Sequence, residues 1–111
     1  MRILISVTPQ MYRQAIAFSI RSRRPGCNVK IASPVTTAGE IAVFKPHLLL
    51  HSDNDGLGSE VVAGILCRVT VLYTNGMDAR ITTRGEVREA QDMSTEDLLR
   101  VVDAASTMAG E

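Results

Sequence analysis

Aromatic side chains are scarce in this chain of 111 residues, which has two Tyr, two Phe and no Trp. A core built on stacked rings is therefore excluded, and burial must rest on Ile, Leu, Val, Ala and Met. Cysteine is nearly absent as well. Cys27 and Cys67 show neither a C-x-x-C pair nor metal-ligand spacing, which argues against a disulfide scaffold or a zinc site. Both lie beside expected strands, where a free thiol acts as a small apolar group. No excess of either charge exists, since twelve Lys/Arg balance twelve Asp/Glu. No apolar run approaches the roughly 20 residues a bilayer-spanning helix needs. Met1–Val7 passes directly into a strand-like segment and then Pro9, unlike a secretory leader. The expectation is a soluble, cytoplasmic protein with no membrane contact.

What is present fits one globular domain over residues 1–111. Apolar residues make up 45% of the chain and charged residues 22%, ordinary values for a folded domain. A chain of this length buries roughly two-thirds of its unfolded surface. The charges are unevenly placed: residues 1–45 carry seven Lys/Arg against Glu40 alone, and residues 46–111 carry five Arg against eleven acids. A bipolar surface of this kind suits self-association or an oriented partner, and scattered solvated charges are the plainer account. Arg21, Arg23 and Arg24 fall at a helix end, where they complement the dipole; without interleaved aromatics they do not make a nucleic-acid patch.

Strand and helix signals alternate along the chain. Ile3–Val7 is a short β-branched run suited to a strand covered on both faces. Thr8-Pro9 reads as a cap followed by Pro at the first helical position. The helix then runs to Arg24, with Met11, Ala15 and Phe18 on one stripe and Tyr12, Ile16 and Ile20 beside it. Val29–Ala32 is a second strand. Thr37 and Glu40 have capping-box spacing ahead of a short helix, and Leu48–His51 is a third strand. Asp53-Asn54-Asp55-Gly56 is a turn, Glu60–Leu66 a short helix and Arg68–Tyr73 a fourth strand. Alternation of this kind implies right-handed β-α-β crossovers and a parallel sheet. After Thr74 the rhythm breaks. Ala79–Thr83, a turn at Arg84-Gly85-Glu86 and Val87–Ala90 predict a β-hairpin, and Ser94 caps a last helix through Met108.

The order of Arg2–Pro9, the helix containing Arg13, Phe44–Leu50, Arg68–Leu72 and Ser94–Ala105 resembles bacterial response-regulator receiver domains over nearly the whole chain. The poorly matched stretch is Asn75–Gln91, several residues short of the family pattern. The resemblance implies an α/β, flavodoxin-like, doubly wound fold with a mainly parallel five-stranded sheet, its fourth helix replaced here by a β-hairpin.

It also implies a phosphorylation pocket, and here the residues depart from the pattern. A receiver uses an acidic pair for Mg²⁺, an Asp acceptor after the third strand, a Thr or Ser after the fourth, and a Lys after the fifth. Hard cations need oxygen ligands, the nucleophile must be an ionised carboxylate, and fixed cations offset the transferring charge. The matching positions are Val7 and Thr8, Ser52, Tyr73 with Thr74 beside it, and Gln91. Four departures together point to lost phosphotransfer, no metal and no cofactor. A one-residue slip would make Asp53 the acceptor and Thr74 the switch residue, and an active receiver of that kind is the alternative. It would still lack the acidic pair.

Other constellations are weaker. His47 and His51 are four apart, and on a strand they share a side without a third ligand. Ser52 between His51 and Asp53 is not a triad, because strand neighbours point apart. Gly56-x-Gly58 with Gly64 is too irregular for a phosphate loop. The crevice at the strand ends, lined by Val7, Thr8, Ser52, Asp53, Tyr73 and Thr74, is the default ligand site of an open α/β sheet. A small nucleotide- or metabolite-binding domain is accordingly the third reading.

The leading expectation is a non-enzymatic signal-transduction module of pseudo-receiver type. It would act on an unknown protein partner or as a homodimer, with no nucleic acid. Its candidate surface is the hairpin edge, bearing Arg80, Arg84, Arg88, Glu86 and Glu89.

Overall fold

The computed structural model describes residues 1–72 and 78–110. Ten elements follow in order: β1 (Arg2–Ile5), α1 (Gln10–Arg23), β2 (Asn28–Ile31), α2 (Thr37–Phe44), β3 (Leu48–Ser52), α3 (Ser59–Val62), β4 (Cys67–Val71), β5 (Ala79–Thr83), β6 (Glu86–Ala90) and α4 (Thr95–Met108). The strands form one sheet in the order β2-β1-β3-β4-β5-β6.

This overturns the expected mainly parallel, flavodoxin-like five-stranded sheet. The sheet is six-stranded and mixed. β1 pairs in parallel with β2 and β3, and β3 with β4, but β5 is antiparallel to both β4 and β6. Chain length supplies the reason. A parallel neighbour needs a crossover of a dozen or more residues. Only residues 72–78 separate β4 from β5, so the chain turns back on itself. β6 then returns through the two-residue turn Arg84-Gly85, with φ of 49° and 87°. Two positive φ values are what a type I′ hairpin turn requires.

Each face of the sheet is buried where a helix crosses it. Ile3, Ile5 and Val7 with Leu48, Leu50 and Val69 pack under Ala17 and Ile20 of α1 and Leu98, Leu99, Val102 and Ala105 of α4. Leu4, Leu49 and Val62 form a smaller core on the other face, joined by Ile41 and Phe44 of α2. Every residue of β3 is buried, which explains the apolar run Leu48–Leu50.

The α1 stripe differs from the expected one. Arg13, Ala17 and Ile20 face the sheet, whereas Met11 and Phe18 are 74% and 73% exposed. The helix also begins one residue later, with Pro9 as cap and no side-chain capping bond. α2 likewise lacks the expected capping box: Thr36 is the cap, and Thr37 Oγ1 donates to the Ser33 carbonyl instead. α3 is a single turn, shorter than the span to Leu66. At the end of α1 the arginines do more than complement a dipole. Arg24 grips Asp103 of α4 with both Nε and Nη2, at 2.7 and 2.9 Å, and Arg23 pairs with Glu96. The basic first half is thus stitched to the acidic second half. Among the described residues no helix is long and apolar enough to cross a membrane.

Candidate functional site

The carboxyl ends of β1 and β3 meet at Thr8 and Ser52. The Thr8 main-chain N–H donates to Ser52 Oγ at 3.0 Å, and the two hydroxyls lie 3.3 Å apart. Ser52 is fully buried and Val7 is a core residue. The residue that the resemblance puts at the acceptor position is thus a buried, neutral hydroxyl tying two segments together. Asp53, one step on, is exposed, and its main-chain N–H donates to the Val71 carbonyl. Tyr73 and Thr74 lie outside the described residues.

Gln91 is not brought to this crevice. The register places Ser52, Val71, Ala79 and Ala90 in one row across β3, β4, β5 and β6. Gln91 follows Ala90, so it stands about three strand spacings, roughly 14 Å, from Ser52. It lines a separate hollow with Arg88, Asp97 and Arg100.

Beside the crevice, α1 and α4 leave a cleft of about 240 Å³ walled by Val7, Tyr12, Ile16, Val71 and Leu98. Apart from Ser19 and Thr95 the lining is mainly apolar, so the cleft suits a hydrophobic group better than a nucleotide. Of the described residues expected to line the strand-end crevice, only Val7 borders this cleft.

Two buried clusters escaped sequence reasoning. His51 Nδ1 lies 2.8 Å from Asp55 Oδ2, and its Nε2 lies 3.0 Å from Thr70 Oγ1. A hydroxyl, an imidazole and a carboxylate in series resemble a nucleophile relay. The chain ends there, however, with Asp55 Oδ1 accepting the Leu57 N–H, so the cluster clamps the loop after β3. The spacing of His51 and Asp55 was a usable signal, whereas Thr70 lies on another strand. The second cluster is the buried Arg13, whose Nη1 donates to the Val7 carbonyl at 3.2 Å. His47 is separate, its Nδ1 accepting the Arg2 N–H. Among the described residues, no three His, Cys, Asp or Glu side chains converge as a metal site.

The hairpin residues are spread over an open edge. Glu86, Val87, Arg88 and Glu89 are all exposed, and Val87 is 57% exposed. Arg80 faces Glu89 at 4.0 Å across β5 and β6. Arg84 occupies the turn, its main-chain N–H donating to the Leu66 carbonyl. Glu86, Arg88 and Ala90 share the side of Ile81 and hence of α4, while Val87 and Glu89 lie on the opposite side.

Comparisons with protein families, with curated proteins and with solved structures find no match to this chain.

Proposed function

We propose that this protein is a non-enzymatic regulatory module, akin to a receiver without its phosphorylation site, that acts by adding a partner's strand to its sheet. The observation carrying this reading is the β6 edge, which no other strand among the described residues covers and where four consecutive residues are exposed at the end of a six-stranded sheet. Edge strands present unpaired main-chain donors and acceptors, and strand addition is a recurrent mode of recognition. The buried, hydrogen-bonded Ser52 and the apolar Val7 support a role without phosphotransfer.

Incubation with an acyl-phosphate donor and Mg²⁺, followed by intact mass measurement, tests the reading. The mass is expected to stay unchanged. A phosphate adduct that disappears in Asp53→Asn would favour the active-receiver alternative instead.

The apolar cleft between α1 and α4 favours a second reading, a binder of a small hydrophobic metabolite. A thermal-shift series with apolar ligands separates the two, because strand addition requires no ligand-dependent rise in Tm.

A further inference from the structure

Two main-chain hydrogen bonds set the parity of the outer sheet. The Arg84 N–H donates to the Leu66 carbonyl and the Leu72 N–H to the Asp78 carbonyl. In the register of β4 and β5, Arg80 and Thr82 therefore also direct their main-chain groups at β4. Alternation then turns the groups of Ala79, Ile81 and Thr83 towards β6, where they meet Ala90, Arg88 and Glu86. The main-chain groups of Val87 and Glu89 are left pointing outward from the sheet.

Parity limits how this edge can pair with a second copy of itself. In a two-fold antiparallel pair, one residue stands opposite its own copy, and opposed residues must both point outward or both inward. For three or more residues of β6 to be opposed, the axis must pass at Val87, Arg88 or Glu89. Centring on Arg88 opposes two guanidinium groups, and centring on Glu89 opposes two carboxylates; like charges directly across a pair are destabilising. Centring on Val87 opposes two exposed valines. It also sets Glu86 across from Arg88 twice, once on each side of the axis, in the closely spaced pairs where side chains approach best.

We infer that the protein forms a two-fold dimer by β6–β6 pairing centred on Val87, locked by reciprocal Glu86–Arg88 ion pairs. The inference rests on the strand-addition reading and names a second copy of this chain as the occupant. The two sheets join into one, and the open edge is closed.

Sedimentation equilibrium over a concentration series is expected to show a reversible monomer–dimer equilibrium. Glu86→Arg sets Arg against Arg on both sides of the axis and should raise the dimer Kd about tenfold. The double exchange Glu86→Arg with Arg88→Glu restores the opposition and should restore the Kd, which a merely misfolded variant would not do. Val87→Cys is expected to cross-link to its own copy on mild oxidation, since directly opposed hydrogen-bonded residues stand about 5.5 Å apart, within disulfide range. Glu89→Cys should not, and the unaltered protein controls for Cys27 and Cys67. A chain that stays monomeric, a Kd indifferent to Glu86→Arg, or cross-linking through position 89 rather than 87 would overturn the dimer. None of these outcomes yields the phosphate adduct that overturns the broader reading, so the two failures are distinguishable.

Discussion

His51 and Asp55 form a buried pair, with Nδ1 and Oδ2 2.8 Å apart and both side chains almost wholly out of solvent. The second ring nitrogen meets Thr70 on β4, so one imidazole joins the end of β3, the following loop and the neighbouring strand. Asp55→Ala would strand the ring nitrogen and the Leu57 N–H together. The expected loss is about 2–4 kcal/mol, read as a lower midpoint in urea denaturation. Asp55→Asn keeps an acceptor and should lose less.

The final helix owes its start to a reciprocal cap. Ser94 Oγ accepts the Asp97 N–H, and Asp97 accepts the Ser94 N–H. Ser94→Ala should cost about 1 kcal/mol. The Asp97 carboxyl is held below its usual range by the Ser94 N–H and hydroxyl, and that of Asp103 by the Arg24 guanidinium. A depressed carboxylate stabilises the fold above its unfolded value, about 3.9, and the contribution is lost as pH falls through the lower folded value. The gap between the native protein and Ser94→Ala should therefore be widest near neutrality and narrow in acid, as followed by thermal unfolding.

Burial pushes the Cys67 thiol above its ordinary value, with a contact to Thr83 Oγ1 at 3.7 Å opposing the shift only weakly. Little thiolate is present at neutral pH, and the sulfur lies within the core. Alkylation of the folded protein should modify Cys27 first. Cys67 should react at a comparable rate only after denaturation, a difference that peptide mass mapping resolves.

The β5–β6 turn holds a non-glycine residue, Arg84, at a φ of 49°. Arg84→Asn creates the Asn-Gly pair that type I′ turns favour and should stabilise the fold by about 0.5–1 kcal/mol. Gly85→Ala, at a φ of 87°, should destabilise it by about 1 kcal/mol or more. Paired denaturation curves test both signs.

Particular residues show how far the sequence reaches. The hairpin over 79–90 was legible because Arg84-Gly85 sits between two strand-like runs, and turn chemistry is local. Ser94 announced its helix in the same way. Alternation from Ile3 to Tyr73 suggests continued parallel winding, whereas β5 runs antiparallel to β4 and β6. What reverses the sheet is the seven-residue connection after β4, a matter of distance rather than residue type. Of the expected pocket, Thr8 and Ser52 do meet, while Gln91 is carried away beyond the end of β6.

Residue order alone determined the local pieces: the third strand, the tight turn at Arg84-Gly85, the Ser94 cap and the neutral side chains at Val7 and Ser52. Those depend on propensities and spacings within a few residues. Tertiary structure alone decided that Arg13 rather than Met11 faces the sheet and that His51 reaches Thr70. It also decided that Val87 and Glu89 turn their main-chain groups outward. Such relations follow from strand register and helix rotation, which close only when distant segments pack together.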